Sequence, residues 1–421
     1  MNAVQKAGIV SVALNQHIAD ATHLRHVRSA QTAGPHIKLH HLARLDERIA
    51  AHLDGLFVAE DHGWQACQGA LDPVSTGSLF TATLLALEAQ RDKRLPQVLA
   101  LAEAVPAARS GLLSAFGWTS AQKLQGITGP LLASENAFRQ LVGFATCSVH
   151  RVDPGAALVQ ALQSKELLVR ARAYRTAGEL GKRQLVSTLA AAVREEDPGC
   201  RFWAAWSAVL LGDRMAGLEA LAAFCRQPGP FRARAMTLAL RAMEIPDAHA
   251  LLRLLAQVPS NARALVRGAG LAADPSYLPW LIKQMENPAL TRLAGESFSL
   301  ITGLDLAFLD LDRPPPEAVL LGPNDNPEDD NVDMDPDDGL PWPDLPKIQA
   351  WWQANASAYP AGTRTFMGAP VSAARCQEIL RTGYQRQRIG AALYLCLLEP
   401  GQPLFEWRAP AWRQKRRLAQ P

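Results

Sequence analysis

Seven arginines recur along this sequence at an almost constant spacing, and this repeat constrains the fold more than any other feature. Five consecutive members are 31 residues apart at every step, the first precedes them by 30 residues, and the last follows by 29. Around most of these arginines, for example Arg170 and Arg201, apolar residues lie one position before the arginine and three, four and seven positions after it, which is the periodicity of a helix face. A fixed period of this length indicates a repeat architecture. The members of this arginine ladder are Arg109, Arg139, Arg170, Arg201, Arg232, Arg263 and Arg292.

Turn-forming residues separate the ladder segments, as at 197–199 (Asp-Pro-Gly) and 228–230 (Pro-Gly-Pro). A second apolar segment, such as 185–193 or 216–224, lies between each ladder helix and the next turn. Two helices in about 30 residues form the unit of a HEAT-like repeat. A chain of 421 residues is also too long for one ordinary hydrophobic core. The sequence therefore predicts an all-α solenoid of HEAT-like two-helix repeats with a period of about 31 residues. We interpret the ladder arginines as structural groups that hydrogen-bond carbonyls and acids of the neighbouring repeat.

Four regions follow from where the repeat starts and stops. Residues 1–70, with an amphipathic segment at 35–58, are predicted to form an N-terminal helical cap, because a terminal repeat must hide its apolar face. Residues 71–306 form the repeat array, and residues 307–346 form an acidic linker or loop rich in Pro and Asp. Residues 347–421 form a mixed C-terminal subdomain with a basic tail.

Charge is distributed unevenly along the chain. Residues 310–346 contain twelve acidic side chains and one basic one, so this segment carries −11 while the rest of the chain carries +14. Asp333, Asp335, Asp337 and Asp338 resemble a calcium loop by charge, but the central Gly and terminal Glu of that loop are missing. We expect these aspartates either to contact a protein partner, by imitating nucleic-acid phosphate, or to neutralise the chain's own basic tail.

One predicted surface has the residue types of a binding hot spot. Positions two and five after a ladder arginine should point away from the contact between neighbouring repeats, and they combine arginine with tryptophan. Such residues carry binding energy most often, so we predict partner binding here, although the tryptophans could instead fill gaps between helices. The same residue types could stack nucleic-acid bases, as in HEAT-like DNA glycosylases. Those enzymes need a catalytic carboxylate beside the tryptophans, and the nearest acid in the sequence, Asp213, lies in the turn after the helix. The residues are Arg172, Arg175, Trp203, Trp206, Arg234 and, nearby, Arg241.

Known catalytic and metal-binding patterns are missing from the sequence, so no catalytic residue and no cofactor is predicted. His36 and His40 are one helical turn apart, but no His-Glu dipeptide accompanies them. The six cysteines are scattered without a Cys-x-x-Cys pair, which favours buried free thiols. The first 30 residues lack the pattern of a signal peptide, and no run of eighteen apolar residues occurs, so we expect a cytoplasmic protein without a membrane span.

Several longer motifs lie along the chain, at 178–181, 201–214, 279–282, 294–306, 340–344, 368–370, 385–388 and 409–414. Through these motifs the chain is similar, almost from end to end, to a proteobacterial family of uncharacterised HEAT-like proteins whose genes often lie near type VI secretion genes. That family has no established catalytic residues to transfer. The resemblance implies a protein partner, a type VI secretion effector toxin, which the chain would neutralise as an immunity protein or load as an adaptor.

Three functional hypotheses result. The first is a non-catalytic solenoid that binds a toxin as an immunity protein or adaptor, and the toxin could be a nuclease. The second is a nucleic-acid-binding HEAT-like protein of the DNA glycosylase type. The third is a metal-dependent enzyme that uses the N-terminal histidines or the acidic segment.

Overall fold

The computed structural model describes residues 11–89, 93–316 and 335–419. Among these residues, helices α1 (Ser11–Gln31), α2 (Leu39–Val58) and α3 (Glu60–Gly69) precede the repeats. The amphipathic segment predicted from residue 35 becomes helical only at Leu39, after Lys38, whose extended backbone caps the helix. Most leucines of α2 and its isoleucine are buried, and Leu45 is partly buried.

The repeats follow as alternating helices, and the structure confirms the predicted all-α solenoid. Each even-numbered helix from α6 to α18 carries one ladder arginine within its first four residues, and each packs on the even-numbered helices before and after it. The helices are α4 (Thr76–Ala89), α5 (Arg94–Ala104), α6 (Arg109–Trp118), α7 (Thr128–Leu132), α8 (Ala137–His150), α9 (Ala156–Ala161), α10 (Leu167–Glu179), α11 (Val186–Ala192), α12 (Pro198–Leu210), α13 (Ala216–Arg226), α14 (Arg232–Ala242), α15 (Ile245–Ala256), α16 (Ala262–Ala272), α17 (Leu278–Gln284) and α18 (Thr291–Thr302).

Small residues let neighbouring even-numbered helices approach closely. A Cβ atom added to Gly178 of α10 would lie 2.8 Å from the Cα of Ser207 in α12. A Cβ atom added to Gly270 of α16 would lie at the same distance from the Cα of Ser297 in α18. Two repeats thus use a glycine facing a serine in the same way, which explains why small residues dominate the middle of the ladder helices.

In its described residues, the C-terminal part contains two short antiparallel strand pairs and four α-helices. Strands β1 and β2 align Asp312 with Pro343 and Arg313 with Trp342, and strands β3 and β4 align Thr365 with Pro370. The elements are β1 (Asp312–Arg313), β2 (Trp342–Pro343), α19 (Leu345–Asn355), β3 (Thr365–Phe366), β4 (Ala369–Pro370), α20 (Ala373–Thr382), α21 (Gln385–Leu398) and α22 (Ala411–Leu418).

This C-terminal part lies along the C-terminal ends of the even-numbered helices. The last carbonyls of a helix have no partner within the helix, and here the C-terminal chain supplies donors for them. Arg364, for example, donates to the carbonyl of Leu240 at 2.9 Å. Backbone or side-chain donors from residues 364–413 reach one carbonyl near the end of nearly every such helix: Gly117, Val149, Glu179, Leu240, Ala273 and Leu300.

The N-terminal and C-terminal parts of the chain also meet each other. Arg386 of α21 donates to the carbonyl of Ala33 at 2.9 Å and pairs with Glu296 of α18 at 2.8 Å. The backbone N–H of Gln385 donates to the carbonyl of Ile37 at 2.7 Å. The α1–α2 connection, the last repeat helix and α21 therefore share one junction. The predicted boundaries at residues 70, 306 and 346 stay predictions, since every region packs on others.

Within the described residues, no single helix is both long and apolar enough to cross a bilayer. The segments Arg94–Ala104 and Pro106–Trp118 meet the length and composition test only as a pair bent by 114°.

All six cysteines are buried and free. Burial raises the pKa of the Cys67, Cys225 and Cys396 thiols to about 12. Such thiols are protonated and unreactive at neutral pH.

Candidate partner-binding site

Four ladder arginines bind carbonyls at the end of the preceding helix. Arg109 donates to Ala102 at 3.0 Å and Arg232 donates to Cys225 at 3.0 Å. Arg201 donates to Glu195 at 2.8 Å, and Arg170 reaches the carbonyl of Ser164 in the same way. The acceptor lies six or seven residues before the arginine in each case. A cation placed at a helix C-terminus satisfies orphan carbonyls and opposes the negative end of the helix dipole. These contacts support a structural role for the ladder.

The last two ladder arginines pair with the acidic segment instead. Arg292 forms two hydrogen bonds with the Asp335 carboxylate, at 2.6 and 2.7 Å. Arg263 forms two with Asp337, whose side chain is 5% exposed. The hydrogen bonds from Arg292 lower the pKa of Asp335. These two aspartates therefore contact the ladder, whereas the sequence suggested the basic tail as their partner within the chain.

One further ladder arginine and the other two predicted aspartates do not show such pairing. Arg139 is exposed, and its guanidinium makes no hydrogen bond or ion pair in the described part of the chain. Asp338 is exposed. Asp333 lies outside the described residues. Its predicted contact with a partner stays a prediction, as does that of Asp338.

Arginine and tryptophan side chains from three consecutive repeats meet at one place. The guanidinium of Arg175 (α10) lies 4.5 Å from the ring centroid of Trp203 (α12), and that of Arg234 (α14) lies 5.1 Å from it. Such contacts are cation–π interactions. Arg175 and Trp203 are partly exposed and Arg234 is exposed. We call these three residues the Arg–Trp surface.

The other three predicted surface residues are more enclosed. Trp206 is 5% exposed and meets Trp203 edge-on, with ring centroids 5.5 Å apart. Arg172, whose side chain is 11% exposed, donates to Ser148 Oγ at 2.7 Å and pairs with Glu179. Arg241 is 6% exposed, donates to the carbonyl of Thr237 at 2.7 Å and lies 5.5 Å from the ring centroid of Tyr394 in α21. Contacts thus connect five of the six predicted residues, whereas Arg241 packs against the C-terminal part.

Glu179 holds the Arg–Trp surface in place. Its carboxylate accepts a hydrogen bond from Arg175 Nε at 2.7 Å and also binds Arg172. Burial opposes ionisation of Glu179, but the charges of Arg172 and Arg175 dominate and hold its pKa well below the ordinary value. Glu179 is therefore ionised at neutral pH, and it fixes the rotamer of Arg175 over Trp203.

Sequence reasoning missed Arg408 of the C-terminal segment, which docks beside this surface where the Leu404 N–H donates to the carbonyl of Glu179 at 3.0 Å. Desolvation, together with the charges of Arg175 and Arg408, lowers the pKa of Arg234 to about 10. Burial and the charges of Arg28 and Arg408 lower the pKa of Arg25 of α1 to about 10. Arg28 itself donates to the carbonyl of Arg408 at 3.0 Å. The sequence contains no local signal that joins residues so far apart.

The catalytic and metal-binding alternatives have weaker geometric support. Across residues 11–89, 93–316 and 335–419, no three His, Cys, Asp or Glu side chains are grouped so as to hold a metal ion. His36 packs directly on Gly339. The two carboxylate oxygens of Asp213 accept the backbone N–H groups of Met215 and Gly217 at 3.0 and 2.6 Å. Asp213 therefore caps the start of α13 and is not a free carboxylate beside the tryptophans.

The two tryptophans should differ in what they contribute to stability. We expect Trp206→Leu to lower the free energy of unfolding by about 2 kcal/mol, because it leaves a cavity among buried side chains. Trp203→Leu should lower it by about 1 kcal/mol, because part of that ring already contacts solvent. Urea unfolding followed by circular dichroism measures both values. An equal loss would mean that Trp203 fills a gap between helices and is not a binding residue.

The middle of the array matches a known family. Residues 155–241 match the family model for HEAT repeats, and this stretch runs from the start of α9 almost to the end of α14. It contains three ladder arginines and the whole Arg–Trp surface. No curated protein and no solved structure matches the chain. The chain therefore contains HEAT-like repeats in this stretch, and HEAT repeats commonly mediate protein–protein interaction.

Proposed function

We propose that this protein is a non-catalytic, cytoplasmic binding solenoid whose partner is a type VI secretion effector toxin. It either neutralises the toxin as an immunity protein or loads it as an adaptor. The observation that supports protein binding is the Arg–Trp surface, in which Arg175 and Arg234 contact the partly exposed ring of Trp203. The assignment to type VI secretion rests on the sequence motifs that resemble that family.

Rigid support under the surface favours tight binding. Arg175 is held by Glu179, and Trp203 rests on the buried Trp206. Side chains that are fixed before binding lose less conformational entropy when a partner arrives. Tryptophan and arginine are also the residue types found most often at hot spots. A HEAT-like scaffold with such a patch therefore suits a stable complex better than catalytic turnover.

The acidic segment contributes less to partner binding than the sequence predicted. Asp335 and Asp337 are paired with Arg292 and Arg263, so they are not available to imitate phosphate for a nuclease toxin. Mimicry would depend on Asp338 and on residues outside the described part, including Asp333. The proposal therefore places the main contact at the Arg–Trp surface.

Affinity purification of the tagged full-length protein from its native host tests the function. We expect one secreted toxin to co-purify in about equal amount, and to be lost when Trp203→Ala and Arg234→Ala are combined. Arg226→Ala is the matched control, because Arg226 is an exposed arginine of α13 with no ion pair among the described residues.

The same experiment separates the alternatives. Co-expression with the purified toxin's gene should protect cells if the protein is an immunity protein, and should leave toxicity unchanged if it is an adaptor. Recovery of DNA without a protein, released by rising salt, would contradict the proposal and favour the nucleic-acid hypothesis. A stoichiometric metal in a partner-free sample would favour an enzyme.

A further inference from the structure

Arg234 and Arg408 are two cations that form no ion pair within the described residues. The Arg234 guanidinium lies 5.1 Å from the centroid of the Trp203 ring. The side chain of Arg408 makes no hydrogen bond or ion pair among the described residues, although its backbone N–H binds Glu406 at 3.2 Å. Both residues are exposed, so an incoming group can reach them.

The surrounding carboxylates are already occupied. Glu179 binds Arg172 and Arg175, Asp46 binds Arg28, and Glu406 binds Arg151. Among the described residues, Arg25 donates to the carbonyl of Ser110 and the hydroxyl of Ser114 and to no carboxylate. Arginines therefore outnumber carboxylates here, and the positive charge left over favours binding of an external anion.

We propose that Arg175 and Arg234, which contact the Trp203 ring, and Arg408, in the C-terminal segment that docks on Glu179 through Leu404, form a carboxylate-binding site that accepts an acidic segment of the protein partner. This inference rests on the proposed function, because it gives the chemistry of the partner's contact. The cluster already shows how it binds a carboxylate, since Arg172 and Arg175 hold Glu179 between them. Guanidinium groups present paired donors that match the two oxygens of a carboxylate.

The size of the site favours a short acidic segment over a nucleic-acid strand. Among the described residues of this site, Arg234 and Arg408 lack an acidic partner, which suits two or three aspartate or glutamate side chains. A nucleic-acid strand is usually bound by a longer basic groove that follows the backbone, with several stacking platforms.

The site depends on the C-terminal segment as well as on the repeats. Arg408 belongs to residues that dock through Leu404, whose N–H donates to the carbonyl of Glu179 at 3.0 Å. Its own backbone carbonyl accepts from Arg28 at 3.0 Å. A chain that lacked the C-terminal part would therefore keep Trp203 but lose one of the two unpaired cations.

Binding of a fluorescein-labelled decaglutamate peptide to the full chain, followed by anisotropy, tests the site. We expect Arg234→Gln combined with Arg408→Gln to weaken binding at least tenfold, and Arg226→Gln to change it less than twofold. Arg234→Lys with Arg408→Lys, which keeps the charge, should retain more affinity than the glutamine pair. Thermal unfolding of each variant checks that the fold is intact, as expected for exposed side chains.

The outcomes separate this inference from the proposed function. No decaglutamate binding by the wild-type chain, or equal binding by the glutamine pair, would overturn the site. Tighter, variant-sensitive binding of a ten-residue oligothymidylate would overturn the choice of a protein carboxylate. If the partner recovered from the native host is retained by the glutamine pair, the site is wrong while the proposed function stands. Loss of the partner only from the glutamine pair supports both.

Discussion

Replacing Asp46 with alanine should lower the free energy of unfolding by about 3–5 kcal/mol, because it leaves Arg28 as a buried charge without a counter-ion. Arg28 of α1 and Asp46 of α2 are 7% and 5% exposed. Arg28 donates to Asp46 and also to the carbonyls of Arg408 and Ala409, at 3.0 and 2.9 Å. Asp46 accepts the backbone N–H of Ala411. One ion pair thus fastens the C-terminal segment to the first two helices.

Urea unfolding followed by circular dichroism measures this loss, and Glu88→Ala provides the control. Glu88 pairs with Lys123 on the surface, where their side chains are 38% and 43% exposed. An exposed pair contributes about 0–1 kcal/mol, so the control should change little. Equal, small losses for both variants would show that the Arg28–Asp46 pair does not hold the C-terminal segment. If the pair does hold this segment, limited proteolysis should cut the Asp46→Ala variant near residue 408 faster than the wild type.

The repeat architecture was predictable because its signals are local. The spacing of apolar residues around the ladder arginines depends on positions within one helix, and the 31-residue period depends on positions in successive repeats. Helical periodicity and turn residues therefore located α10, α12, α14 and α16 before any contact was known. The predicted second helices at 185–193 and 216–224 correspond to α11 with its preceding 3-10 turn and to α13.

The closure of the chain on itself was not predictable in the same way. Arg386 contacts Ala33 across 353 positions, and Arg28 contacts Ala409 across 381. The sequence around Arg28 and Arg386 looks like that of any exposed basic residue. Their acceptors are backbone carbonyls, whose positions depend on the whole fold. The contacts of the C-terminal part with the helix ends were hidden for the same reason.

In the candidate site, two arginines of the same helix differ in how deeply they are buried. Arg172 and Arg175 lie three positions apart on α10, and the sequence assigned both to a binding surface. Glu179 lies seven and four positions further on and binds both, but Arg172 also reaches Ser148 on α8 and is the more deeply enclosed of the two. Only packing of α10 on α8 distinguishes them. Arg408 joins the site through the same long-range closure that the sequence does not reveal.

The second prediction concerns the acidic segment. Its aspartates either stabilise the fold by pairing with ladder arginines or serve partner recognition, and these two hypotheses predict different results. Asp335→Asn combined with Asp337→Asn should lower the free energy of unfolding by about 3–5 kcal/mol, because Arg292 and Arg263 each lose a carboxylate partner. Asp338→Asn is the matched control, because Asp338 is exposed and should change stability by less than about 0.5 kcal/mol. If the aspartates serve partner recognition instead, the double variant should unfold like the wild type but lose its partner.

The dependence on pH adds an independent check of the Arg292–Asp335 pair. The hydrogen bonds from Arg292 lower the pKa of Asp335 in the folded chain below that of an unfolded aspartate, which is about 3.9. The ionised pair therefore stabilises the fold fully above that unfolded-state pKa, and its contribution is lost as the pH falls through the folded-state pKa. The stability difference between the wild type and Asp335→Asn should be constant from pH 6 to 8, within about 0.5 kcal/mol, and should shrink below about pH 4. A difference that persists undiminished at lower pH would mean that the asparagine disturbs packing and that the carboxylate charge of Asp335 is not what stabilises the end of the array.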